Sequence, residues 1–159
     1  MNDNFKLLAN PSYFVATGFG VGIIPFAPGT LGTIVAIPLF LLLSELPVMY
    51  YWVVVFISFF IGTKVASRSE IILGKEDHKS VVIDEIVGFL IAAGCSDFNL
   101  HNVIIIFILF RFFDIFKPGP IGYLDKNIKG GLGVMLDDVA AGVAVLVIIN
   151  FAYWAVLFF

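Results

Sequence analysis

The chain reads as all-α: a small polytopic membrane helical bundle of about five spans, preceded by an N-terminal segment that is re-entrant or interfacial. Hydrophobic residues fill 60% of the 159 positions and charged residues only 13%. Mean hydropathy is +1.05, well outside the soluble globular range. Apolar runs recur at residues 13–26, 31–46, 48–62, 86–95, 103–116 and 139–159, and the polar residues gather between them. A chain of this length holds one compact unit, so residues 1–159 are expected to form a single membrane-embedded domain.

The first run differs in kind from the rest. Gly18, Gly20 and Gly22, with Pro11, Pro25 and Pro28 around them, make a continuous spanning helix unfavourable. A re-entrant or interfacial path packed against protein satisfies such backbone better. Of the remaining runs only 139–159 reaches the roughly 20 residues that cross about 30 Å of hydrocarbon. The others are short spans, which a thinned bilayer or snorkelling end residues accommodate. Pro38 within 31–46 is expected as a kink.

The basic residues set the topology. They are Lys6, Lys64, Arg68, Lys75, Lys79, Arg111, Lys117, Lys126 and Lys129, and all fall on one side if 13–26 does not cross. The opposite loops, 44–47 and 96–102, hold Glu45, Asp97 and His101 but no Lys or Arg. The basic side is therefore expected to be cytoplasmic, with Tyr50, Tyr51 and Trp52 as an aromatic belt at the outer interface or as lipid-facing bulk.

Other classes fall away. A net charge of −3 with no basic run lacks the footprint of a nucleic-acid binder. Cys95 is the only cysteine, which rules out an internal disulfide framework and leaves a small core or lipid-facing residue. Residues 1–11 lack signal-peptide organisation, so the mature chain is expected to begin near Met1.

Asp84, Glu85, Asp114, Asp125, Asp137 and Asp138 all fall at or near the cytoplasmic helix ends. Hard divalent cations such as Mg²⁺ take oxygen ligands of this kind, which makes Asp84, Glu85, Asp137 and Asp138 the candidate metal set. The pairs share a context: IDEIVG and LDDVAAG each place two acids before an apolar run, with a glycine one turn on that lets helices approach closely. The bland reading of each pair is a helix N-terminus favouring acids. Asp114 counts against that reading, because an unneeded acid in an apolar run is costly.

Arg111, Asp114 and Lys117 recur at i, i+3 and i+6, so successive members are helix neighbours. Either they form a snorkelling ion-paired stripe, or the two cations offset a phosphate while Asp114 binds metal or orients the base. PGTLGT and GGLG precede apolar runs and offer backbone donors to the same anion; Thr30, Gly32, Thr33, Gly130 and Gly131 are the candidate contacts. Neither stretch matches a nucleotide-binding P-loop. His78 reads as a solvated loop residue, and His101 has no assigned role.

The series GFGVGIIPFAPGTLGT, VIDEIVG and RFFDIFKPGPIGYLDKNIKGGLGVMLDDVAAG, in that order and spacing, resembles the phosphatidylglycerophosphatase A family over roughly residues 11–145. The resemblance implies a Mg²⁺-dependent lipid phosphatase of the bacterial inner membrane that converts phosphatidylglycerophosphate to phosphatidylglycerol and inorganic phosphate. The family's charged motif positions correspond to Asp84, Glu85, Arg111, Asp114, Lys117, Asp125, Asp137 and Asp138. It does not say which does what, nor whether water or an aspartate such as Asp114 is the nucleophile. The rivals are a phosphatase for phosphatidic acid or a polyprenyl phosphate, and a small ion- or proton-coupled transporter.

Overall fold

The computed structural model describes residues 7–94, 96 and 98–158; Lys6 of the basic set, Cys95 at the end of the 86–95 run and Asp97 of the 96–102 loop lie outside them. Among the described residues there are seven α-helices and no strand. They are α1 Pro11–Ala16, α2 Pro28–Ser44, α3 Val48–Leu73, α4 Ile83–Ala93, α5 Leu100–Phe116, α6 Pro120–Asn127 and α7 Gly130–Phe158. Two of them, α3 and the Gly130–Ala155 part of α7, are long and apolar enough to cross a membrane.

Residues 11–27 do not form one helix. After α1 the chain reverses through Gly18, Phe19 and Gly20, all at positive φ, then makes a single 3₁₀ turn at Val21–Ile23. This segment is satisfied by protein: Val82 N–H donates to the Ala16 carbonyl at 2.9 Å, and the buried Tyr13 hydroxyl meets Ser80 Oγ at 3.0 Å.

A short helix, α4, is the most central. Nine of the eleven residues of α4 are buried, and it packs against α2, α3, α5 and α7. A helix apolar on every side belongs inside a bundle, and at about 16 Å α4 is too short to span hydrocarbon by itself. Tyr51 is part of this core. It is 3% exposed, and its hydroxyl donates at 2.5 Å to the Leu90 carbonyl, one of the end carbonyls of α4 that lacks a helical partner. The expected belt therefore loses its middle member, while Tyr50 is exposed.

Two helices start or stop where the sequence does not suggest. The α3 helix continues past Gly62 to Leu73, because Ala66 closes a small apolar cluster with Ala16 and Val81; Gly74, at φ 63°, ends it with a left-handed cap. The α7 helix begins at Gly130, seven residues before Asp137, and α6 fills part of what reads as a loop.

The bundle has two distinct ends. Ser44, Glu45, Gly94 and Ser96 line a shallow recess at one. At the other, the start of α2, the end of α3, the start of α4, the end of α5, all of α6 and the start of α7 converge.

Candidate active site

A cavity of about 530 Å³ opens at that second end. Nine carboxylates and five cations line it, together with Ala27, Pro28, Gly29 and Thr30 from the entry to α2. Asp84, Glu85, Arg111, Asp114, Lys117, Asp125, Asp137 and Asp138 are all among them, so every charged residue singled out from the sequence reaches one space.

Close helix crossing is what brings the acids together. A Cβ on Gly88 would stand 2.8 Å from the Asp138 carbonyl oxygen and from the Phe110 ring, and one on Gly142 would run into the Gly88 carbonyl. Only glycines allow α4 and α7 this approach. Each lies one turn beyond an acid, Asp84 before Gly88 and Asp138 before Gly142, so the crossing sets those acids side by side. Oxygens of Asp84, Glu85 and Asp138 lie within 4.8 Å of one another.

The two pairs differ in place along their helices. Asp84 and Glu85 occupy the first turn of α4, where the helix dipole favours acids. Asp137 and Asp138 are the eighth and ninth residues of α7, too far in to cap its N-terminus. Adjacent helical residues project about 100° apart, and these two serve different partners. Asp138 faces α4, whereas Asp137 Oδ2 accepts from Lys117 Nζ at 2.5 Å.

Lys117 also donates to Asp125 Oδ1 at 2.6 Å, which ties α5, α6 and α7 through one ammonium. Its backbone is left-handed, at φ 44° where α5 ends, a conformation glycine usually supplies; its side chain is what the position uses. Burial works to lower the Lys117 pKa, but the bonds to Asp125 and Asp137 outweigh it and raise the pKa above the usual 10.5. The ammonium is therefore charged at any physiological pH.

Arg111 NH1 pairs with Asp114 Oδ2 at 2.5 Å and lies 3.8 Å from Glu85 Oε1. Above them passes the backbone of α2, and a Cβ on Gly29 would meet Glu85 Oε1 and lie 3.1 Å from Arg111 NH2. Despite these cations, Asp84 Oδ1, Glu85 Oε2 and Asp137 Oδ1 are buried with no hydrogen-bond partner among the described residues. Orphaned carboxylate oxygens are costly. Asp84 and Glu85, each with a free carboxylate oxygen, cluster with Asp138 into a donor set that suits a hard divalent cation.

Not every candidate phosphate contact reaches the cavity. Thr30 and Gly130 line it. Gly32, Thr33 and Gly131 are used in packing: a Cβ on Gly32 would stand 2.7 Å from Val82 Cβ, and one on Gly131 would strike Ser67 and the Thr63 carbonyl. Thr33 Oγ1 donates to the Gly29 carbonyl at 2.9 Å. Conversely Gly29, Lys126 and Lys129 line the cavity without having been singled out. The start of the PGTLGT stretch lies at the cavity, but its register against α4 is a tertiary fact.

His78 stays outside the cavity lining. Its Nδ1 accepts from Ser80 N–H at 3.2 Å and meets Ser80 Oγ at 2.8 Å, while burial and then Lys75 and Lys79 push its pKa below the ordinary value. A neutral imidazole bonded into the Tyr13–Ser80 contact is a strut for residues 78–82. His101 is exposed at the start of α5.

Carboxylates and cations interleaved at one end of an apolar helical protein are the groups a phosphate ester beside hydrocarbon requires. Comparison with known proteins is specific. The family model described as Phosphatidylglycerophosphatase A matches residues 14–153. Phosphatidylglycerophosphatase A of Escherichia coli (strain K12) is 39% identical over 139 residues, covering 86% of this chain and 80% of that protein. The protein of the same name from Haemophilus influenzae Rd is 39% identical over 150 residues, 92% of each chain. A putative phosphatidylinositol-3-phosphatase of Bacteroides thetaiotaomicron is 39% identical over 160 residues, 94% of this chain and 99% of that one. No solved structure matches. The chain belongs to the phosphatidylglycerophosphatase A family and is a phosphatase.

Proposed function

We propose that the protein hydrolyses the terminal phosphomonoester of phosphatidylglycerophosphate, releasing phosphatidylglycerol and inorganic phosphate, with Mg²⁺ as cofactor. The observation that carries this reading is the Asp84, Glu85 and Asp138 cluster, with the orphaned oxygens of Asp84 and Glu85, beside Arg111 and Lys117 in a cavity of headgroup size. The names of the Escherichia coli and Haemophilus influenzae relatives supply the substrate.

Asp84, Glu85 and Asp138 would hold the ion, which when bound polarises a phosphoryl oxygen and lowers the pKa of water. Asp137 belongs to the Lys117 side of the site rather than to this set. Arg111 offers its planar fork to the phosphoryl oxygens, and Asp114 fixes the direction of that fork from 2.5 Å. Lys117, held by Asp125 and Asp137, offsets charge that grows on the phosphoryl group in the transition state. Gly29 brings the start of α2 against Glu85 and Arg111, where backbone amides face an anion. Asp114 is already paired with Arg111, which favours water over this carboxylate as the nucleophile.

The same reading has α2, α3, α5 and α7 crossing a bacterial inner membrane as a multi-pass bundle that encloses the shorter α4, with the cavity on the cytoplasmic side. The eight described basic residues all belong to the cavity end or to the half of α3 beside it, as Thr63 and Ser67 abut Gly131, which supports that orientation. Acids gathered at one end disfavour a transporter, whose site lies near the midplane.

Phosphate release by purified protein across a panel of lipid phosphates, with Mg²⁺ or with chelator, tests the proposal. Turnover of phosphatidylglycerophosphate that stops in chelator is expected. Activity confined to phosphatidic acid, a polyprenyl phosphate or an inositol lipid would refute the substrate, and full turnover in chelator would refute the cofactor.

A further inference from the structure

The five cations of the cavity are not equivalent. Arg111 is committed to Asp114 and Glu85, and Lys117 to Asp125 and Asp137. Lys79 follows Glu76 and Asp77 in the sequence and lines the cavity with them, and it makes no ion pair among the described residues. Lys126 and Lys129 make no ion pair among the described residues, although both line the cavity; the one contact recorded for Lys129 is a donation at 3.4 Å to the Asp125 carbonyl. Their segment is anchored. Ile121 of α6 is 4% exposed, and α7 packs so closely that a Cβ on Gly133 would strike the Ile128 carbonyl. An anchored backbone thus carries these two ammonium groups, neither paired with a carboxylate, into a space much larger than one phosphoryl group.

We infer that Lys126 and Lys129 form a second anion subsite, which takes the internal phosphodiester of a substrate whose terminal phosphomonoester lies at Arg111 and Lys117. This rests on the proposed reaction and refines it, because the subsite would read how many phosphates the lipid headgroup carries. Phosphatidylglycerophosphate carries a monoester and a diester separated by a glycerol unit; phosphatidic acid carries the monoester alone. Free ammonium groups gain more from a new anion than cations already neutralised by carboxylates. A site that pairs both phosphates binds the longer headgroup in preference to the shorter.

The test measures kcat/KM of purified protein for phosphatidylglycerophosphate and for phosphatidic acid in the same detergent, and takes their ratio. Lys126→Gln and Lys129→Gln are each expected to lower that preference about tenfold, the worth of one charged hydrogen bond, mainly through KM. Lys126→Arg and Lys129→Arg should restore most of it. Both side chains are exposed, so the variants fold as the parent does. A ratio unchanged in the Gln variants, even with both activities reduced, overturns the subsite, as does an unsubstituted protein with no preference between the two lipids. Absence of phosphate release from any lipid by the unsubstituted protein overturns the reaction itself and is thereby distinguishable.

Discussion

The Gly142 α-carbon faces the Gly88 carbonyl so closely that no side chain fits between them. The acid of each helix sits one turn before its glycine, so the contact that joins α4 to α7 also sets the separation of Asp84 and Asp138. Gly142→Ala is expected to force the helices apart and destabilise the protein by about 1–3 kcal/mol, the usual range for overpacking. Turnover should fall further than stability accounts for, because the carboxylate cluster is displaced. Thermal unfolding in detergent alongside phosphate release checks both; unchanged activity would separate the glycine crossing from the site.

Like charges within 4.8 Å repel each other when no cation lies between them. Asp138→Asn should therefore raise the melting temperature in chelator while lowering turnover about 10²–10³-fold, the scale of losing one preorganised electrostatic contact. Mg²⁺ should stabilise the parent, as any ligand of the native state does, and stabilise the variant much less. A parent melting curve indifferent to Mg²⁺ would remove the metal from the proposal. Asp84→Asn and Glu85→Gln belong to the same series.

How much of this was legible beforehand depends on the range of the interaction concerned. The helical class, the irregular 13–26 segment and the charged set follow from composition and local pattern, and the IDEIVG and LDDVAAG contexts foretold the close crossing. What local pattern does not contain is which neighbour an exposed face meets. Asp137 and Asp138 look equivalent in sequence, yet 100° of helical rotation sends one to Lys117 and the other to Asp84. Gly32 and Gly131 look like phosphate-loop glycines and are used instead where Val82 and Ser67 press against them. The extension of α3 to Leu73 depends on Ala16 and Val81, which are distant in sequence.

Lys117 bridges two acids, and the consequence of losing it is specific. Lys117→Met leaves the 5% exposed Asp137 without its cation, at an expected cost of about 1–3 kcal/mol for an unsatisfied buried group. Adding Asp137→Asn should recover much of that stability and none of the activity, a coupling that a double-mutant cycle measures. The pH response has a definite sign. A lysine pKa raised by folding adds stability that is complete below its unfolded value of 10.5 and is lost as pH climbs toward the folded value. Loss of turnover between pH 7 and 9 cannot then come from Lys117, and a Lys117→Arg variant should show the same profile there.

Gly29 offers the sharpest separation of fold from chemistry. Its φ is not in the left-handed region, so alanine suits its backbone, and alanine favours the first turn of a helix over glycine. The added methyl would nonetheless press on Glu85 Oε1 and approach Arg111 NH2, the two groups that face each other across the site. Gly29→Ala should keep the helical circular dichroism and melting temperature of the parent within a few degrees. Its turnover should fall at least tenfold, as displacement of a preorganised group by a fraction of an ångström commonly produces. Competitive inhibition by inorganic phosphate should weaken in parallel, because the same displacement moves the Arg111 fork. A variant with parental turnover and parental phosphate inhibition would detach the start of α2 from the site and leave the anion to Arg111 and Lys117 alone.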